Sequence, residues 1–246
     1  MRYFIQFSYN GKAYHGWQNQ PNAITVQQVL EEALSTLLRK KVTMMGAGRT
    51  DAGVHAKAMF AHFETLEISN TTDLIFRLNA FLPDDIAVQK IFEVNADAHA
   101  RFDATARTYE YWITQEKNPF FTDYAHYVKQ ELDVKKMNEA AALLIDYKDF
   151  ESFSKSNTDV YTYLCDIQIA EWGQKNDLLI FTIKADRFLR NMVRAIVGTL
   201  LDVGTGKSNL DDVKAIINSK DRSKAGTSVP AKALYLTKIN YPNTIQ

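Results

Sequence analysis

Apolar residues recur along this chain of 246 residues with two alternating periods. The order in which those periods change restricts the fold more than any other feature. Arg2 to Tyr9 sets Tyr3, Ile5, Phe7 and Tyr9 against Phe4, Gln6 and Ser8, the period of a half-buried strand ending at Asn10-Gly11. Thr25 then opens a helix with an apolar stripe of Val26, Val29, Leu30, Ala33, Leu34, Leu37 and Leu38. Gln28 stands at the capping-box spacing, and Ile24 with Val29 is placed for a hydrophobic staple. Strands are expected at Val42 to Ala47 and Ala56 to Glu64. A second helix, about Asp73 to Phe81, is stopped by Pro83, and a strand follows at Ile86 to Val94.

The same order then returns. Arg107 to Gln115 reads as a strand with Tyr109, Tyr111 and Ile113 on one side. Asp133 caps a helix carrying Val134, Met137, Ala140, Ala141, Leu144 and Ile145. Strands are expected at Val160 to Trp172 and Leu178 to Ala185, then a helix from about Phe188 to Val203 ending at Gly204. Leu210 to Ile217 is a short inserted helix, and Ala233 to Tyr241 the last strand. β-α-β-β-α-β is the ferredoxin-like pattern. The expected class is therefore α+β, with two tandem ferredoxin-like halves, residues 1–100 and 101–246, joined near Asp97 to Ala106. Their antiparallel sheets are expected to meet at a central cleft, the kind of place where ligands commonly bind.

Composition narrows the functional classes. The chain has 46% hydrophobic and 24% charged residues, ordinary for a soluble globular protein. Cys165 is the one cysteine, so no intrachain disulfide or thiolate metal cluster can form, which suits a reducing cytoplasm. No run of about eighteen apolar residues occurs, so no membrane span is expected. The N-terminal stretch alternates like a strand and does not read as a signal peptide. The histidines His15, His55, His62, His99 and His126 show no tight ligand spacing, and there is no Walker loop, G-x-G-x-x-G or nucleophile elbow. No metal and no cofactor is expected. The 29 basic and 29 acidic residues cancel, yet Arg39 to Lys57, Lys184 to Lys207 and Lys214 to Lys232 each hold five basic residues against one or two acidic ones. Together they suggest a positive face on a neutral protein.

The stretch Gly46-Ala47-Gly48-Arg49-Thr50-Asp51-Ala52-Gly53-Val54-His55-Ala56 joins two expected strands. Its glycines mark tight or closely approached backbone, with Asp51 at the centre and Arg49 two residues before it. Loops on a strand scaffold are where catalytic side chains tend to be carried. Arg187, Arg190 and Arg194, spaced three and four apart, are expected to share one helix face. An arginine beside a carboxylate holds it ionised, by charge and by a bidentate hydrogen bond.

GAGRTDAGVHA resembles the signature of the A-type tRNA pseudouridine synthases, and the resemblance runs through nearly the whole chain. It takes in Tyr9-Asn10-Gly11 with Tyr14-His15-Gly16-Trp17-Gln18, Thr25-Val26-Gln27, Asn79 to Pro83, Phe102-Asp103-Ala104, Ala106-Arg107-Thr108-Tyr109, Ser152-Phe153-Ser154, Phe188 to Gly198, and Pro230-Ala231 with Leu234-Tyr235-Leu236. The departures are Asn10 for Asp, Ala233 where Gly is usual, and the absence of the usual Arg near Thr158.

The resemblance implies isomerisation of uridine to pseudouridine in the anticodon stem-loop of tRNA, with the target base flipped from its stack. It implies that Asp51 is the nucleophile and that Arg194, in Met192-Val193-Arg194, pairs with it. It further implies that Tyr109 stacks on the uracil and serves in proton transfer, and that Arg49 binds RNA, with Arg187 and Arg190 on the substrate side. It implies a homodimer engaging one tRNA. Two other classes stand beside it. A tandem RNA-binding module shares the element order but requires an RNP1-like run, which is absent. A hydrolase using Asp51 on a small nucleoside fits the basic stretches poorly.

Overall fold

The computed structural model describes residues 1–156 and 160–245. In chain order the strands and helices are β1 (Arg2–Tyr9), α1 (Val26–Leu38), β2 (Met44–Gly46), β3 (His55–Glu64), α2 (Thr71–Phe81), β4 (Ile86–Val94), β5 (Ala106–Thr114), β6 (His126–Tyr127), α3 (Val134–Leu143), β7 (Ile167–Lys175), β8 (Leu178–Ala185), α4 (Met192–Gly204), α5 (Leu210–Ser219) and β9 (Leu234–Asn240). The fold is mixed α+β. The chain divides into two compact units. Unit 1 is Met1–Ala106 together with the segment from Tyr235 onward, and unit 2 is Arg107–Leu234. The chain thus leaves unit 1 at Ala106 and returns to it at Tyr235.

In unit 1, β1 lies between β4 and β3, antiparallel to both. The far edge of β3 is shared. β2 pairs with it antiparallel at Ala61 to Phe63, and β9 pairs parallel at His55 and Ala56. Tyr3 stacks on Phe63, and Phe7 on Trp17. The opposite face of β1 is covered too. Phe4 is fully buried, with Phe92 and the edge of Tyr241 against it. A strand expected to be half-buried is therefore covered on both faces there, because the returning C-terminal segment brings Tyr241 over it. Tyr241 also donates its hydroxyl to the Ala100 carbonyl at 2.6 Å. α1 buries Val26, Leu30, Ala33 and Leu34, and α2 buries Leu74 and Leu78.

In unit 2, β8 runs antiparallel between β5 and β7, and β6 adds to the other edge of β5 in parallel. Tyr111, Phe181, Ile183 and Trp172 are buried across this sheet, with Trp172 against Phe181 at 4.9 Å. α4 is buried on nearly every side, as expected of a helix that is apolar nearly all round. Gly198 lets it approach a loop. A Cβ there would lie 2.0 Å from the Thr227 carbonyl oxygen, so only glycine permits the contact.

Several boundaries depart from the sequence expectation. Thr25 does cap α1, accepting from the Gln28 amide at 3.3 Å. The reciprocal half of the capping box is not made, because the Gln28 side chain reaches along the helix to Glu32 at 2.9 Å. Ile24 is 60% exposed, so no staple forms. β7 begins at Ile167 rather than Val160, and α4 at Met192 rather than Phe188. The cause at α4 is Asn191, left-handed at φ 65°, which ends any helical path from the preceding residues. Thr158, where the usual arginine is missing, lies outside the described residues.

Candidate active site

In unit 1 the eleven-residue stretch forms the turn from β2 to β3, and its shape is dictated by residues far away in sequence. The Asp51 carbonyl accepts from the Val54 amide at 3.2 Å, closing the turn. Gly53, at φ 79°, takes the left-handed conformation that favours glycine, and its amide donates to the Tyr14 carbonyl at 3.3 Å. Tyr9 and Thr50 share a hydroxyl–hydroxyl hydrogen bond of 2.9 Å, one residue from Asp51. Gly16 leans on the turn so closely that a Cβ would lie 2.2 Å from the Thr50 carbonyl oxygen. The Gly46 backbone lies under the Trp17 indole. Of the glycines in the stretch, Gly48 alone departs from expectation: its α-carbon faces open space. The Asp51 side chain is half-buried and Arg49 is exposed.

The segment that braces this turn is itself anchored. The Asp85 carbonyl accepts from the Asn10 amide at 2.9 Å, and its carboxylate accepts the Tyr14 hydroxyl at 2.5 Å. Burial, reinforced by that carboxylate, pushes the Tyr14 phenol far above its ordinary pKa, so it remains a donor. Asn10, standing where Asp is usual, accepts from the Lys12 amide at 3.1 Å, a capping role that either residue type fills.

In unit 2, Arg194 lies in the first turn of α4. Its Nε donates to the Val229 carbonyl at 2.7 Å, and the Val229 amide donates back to the Arg194 carbonyl at 3.2 Å. Val229 is fixed in turn by a loop that Arg222 pins through the Ala225 and Gly226 carbonyls and through Ser228 Oγ. Tyr111 is buried near Arg194 and donates its hydroxyl to the Pro230 carbonyl at 3.0 Å. Burial raises its pKa, and the positive charge of Arg194 opposes the rise. Tyr109 is half-buried on β5 and meets Phe188 edge-on at 5.2 Å.

Arg187 and Arg190 do not share a helix face with Arg194. Both lie in the loop before α4, because the left-handed Asn191 separates them from the helix. The unit thus brings Tyr109 to Phe188, next in sequence to Arg187. Ala233 is fully buried in a short 3-10 turn, a conformation open to alanine, so the departure from glycine is accommodated there. Asp85, Arg222 and Val229 carry no signal in the sequence, and His55 stands there within the eleven-residue stretch with no role of its own. Gly16 and Gly226 were the available signals, since each marks a close approach of two backbones. Among the described residues no group of His, Cys, Asp and Glu is placed to hold a metal ion. No helix there is long and apolar enough to cross a membrane.

A family model described as tRNA pseudouridine synthase matches residues 5–103 and 140–242. The chain belongs to the tRNA pseudouridine synthase family. The tRNA pseudouridine synthase A of Parabacteroides distasonis is 56% identical over 245 residues, covering 99% of this chain and 97% of that protein. The Bacteroides fragilis enzyme of the same name is 55% identical over 249 residues, with 99% and 98% covered. That of Bacillus subtilis is 40% identical over 247 residues, with 99% and 100% covered. As a member of the tRNA pseudouridine synthases, the chain is an enzyme and an isomerase.

Proposed function

We propose that this enzyme isomerises uridine to pseudouridine in the anticodon stem-loop of tRNA, with Asp51 as the nucleophile. The observation that carries the reading is the Asp51 turn. It is a half-buried carboxylate on a backbone fixed by Tyr9, Tyr14 and Gly16, in a chain of this family. A carboxylate nucleophile must be ionised and held in place. Arg194 is the cation proposed to keep it ionised; its Nε is committed to Val229, which fixes where the guanidinium sits.

Tyr109 is the proposed platform for the flipped uracil and serves in proton transfer. Stacking a base on an aromatic ring contributes roughly 1–3 kcal/mol whatever the base. Arg49, exposed beside the turn, and Arg187 and Arg190, before α4, are the proposed RNA-binding residues. Supporting a ferredoxin-like reading of unit 1 is its strand order β4-β1-β3-β2, antiparallel throughout. In the proposed arrangement an N-terminal half carries the catalytic loop, a C-terminal half completes the site, and RNA lies in a cleft between them. The enzyme acts in the cytoplasm as a homodimer.

The test is release of label from tRNA labelled at uracil C5. Wild type is expected to release it and Asp51→Ala to release none. Equal release by both would remove Asp51 from the reaction, and tRNA binding without release by wild type would point to a binding module.

A further inference from the structure

His55 begins β3, four residues beyond Asp51, and is 3% exposed. Its Nδ1 accepts a hydrogen bond from the Gly11 amide at 3.1 Å. A ring nitrogen that accepts carries no proton, so the imidazole is neutral with its proton on Nε2. Its ring stacks on Tyr235 of β9 at 4.7 Å, nearly parallel at 18°. The backbone it receives is pressed against its own neighbour. A Cβ on Gly11 would lie 2.0 Å from the Val54 carbonyl oxygen. Val54 in turn closes the Asp51 turn through its amide.

One imidazole therefore ties the start of the bracing segment to the end of the turn. Tyr14 and Gly16, later in that segment, hold the turn at Gly53 and Thr50.

We propose that His55 is a positioning residue: its neutral Nδ1 sets the distance between residues 11–16 and the turn, and so aims the Asp51 carboxylate. The inference rests on the reading of Asp51 as nucleophile. It predicts a specific chemical requirement, an acceptor at the Nδ1 position. Asparagine places its Oδ1 close to that position; glutamine carries its carbonyl farther out, and leucine has no acceptor.

The test measures kcat and KM for label release from tRNA by His55→Asn, His55→Gln, His55→Leu and Asp51→Ala, with thermal stability recorded for each. Misplacing a reacting group by about 1 Å costs on the order of a hundredfold. Leu and Gln are accordingly expected to lose roughly ten- to a hundredfold in kcat at unchanged KM, and Asn to stay close to wild type. If the Leu variant does not fold, Asn against Gln at matched stability gives the same comparison. Equal loss in Asn, Gln and Leu would reduce His55 to packing and overturn the proposal, as would a Leu variant with wild-type kcat or a change in KM alone. Full turnover by Asp51→Ala would instead sink the reading beneath it, whatever the His55 variants do.

Discussion

Arg194 presents a testable case at the scale of a single residue. Its backbone is helical and its Nε is bound to the Val229 carbonyl, a contact that orders the side chain within unit 2. Arg194→Ala is expected to fold, keep its circular dichroism, and lose nearly all turnover; retained turnover would show the guanidinium to be dispensable. Tyr109→Phe keeps the ring against Phe188. It is expected to slow product formation at unchanged tRNA affinity, and a normal rate would remove the hydroxyl from the chemistry.

His62 offers a titration away from the proposed site. Burial, followed by the charges of protonated His99 and of Arg2, lowers its pKa to about 4, while Glu64 and Asp103 pull the other way. Its Nδ1 accepts from the Ala100 amide at 3.1 Å. The neutral form is the native one. Above the unfolded pKa of about 6.5 both states are neutral and the contact stands in full. As pH falls from there towards 4 the unfolded chain takes up the proton first, and stability is lost. His62→Asn keeps an acceptor without titrating. The urea midpoint should fall less between pH 7 and 5 in that variant than in wild type, and equal slopes would refute the assignment.

What could be read at this scale is uneven. Asp51 and its glycines announce a turn because glycine spacing is local information. That Tyr9, Tyr14, Gly16 and Asp85 hold the turn is tertiary information, and no local pattern carries it.

Among the elements, α4 depends most on small residues. Gly198 and Gly226 let the helix meet the 225–229 loop, and the Gly226 amide donates to Thr199 Oγ1 at 2.9 Å. Gly198→Ala forces a carbon to within 2.0 Å of a carbonyl oxygen. It is expected to destabilise by about 1–3 kcal/mol, and turnover should fall with it because the same loop holds Arg194. An unchanged melting temperature would contradict this. At α1, Thr25→Ala removes the cap that the structure confirms and should cost about 1 kcal/mol in urea denaturation.

The ends of β1, β4 and β8 were legible because turn residues bracket strongly periodic runs. The start of α4 was not, since Phe188 to Val203 is helical in pattern and only the φ of Asn191 interrupts it. β6 is two residues long, too short for any period to show. The staple at Ile24 failed for a different reason: spacing was right, but the side chain stays exposed.

For the molecule as a whole, the division into units departs from the order of the sequence. Unit 2 is an insertion within unit 1, whose sheet is completed by β9. The returning segment supplies Tyr235 beneath His55 and Tyr241 over Phe4 and Phe60, and the Asn240 carbonyl receives the Thr105 amide at 2.8 Å. A chain truncated after Leu234 is expected to lose protection from proteolysis in residues 1–106 while unit 2 keeps its own, and to show no turnover. Selective loss in unit 2 would contradict the division.

The detour also sets a timetable. On the ribosome, residues 107–234 emerge before the strand that lies beside His55 has been made. The nascent protein can bury the core of its second unit while the first still lacks a wall. The sheet that carries the Asp51 turn is therefore closed last, although the turn itself was among the earliest parts translated, and a chain released early carries that turn on an unclosed sheet.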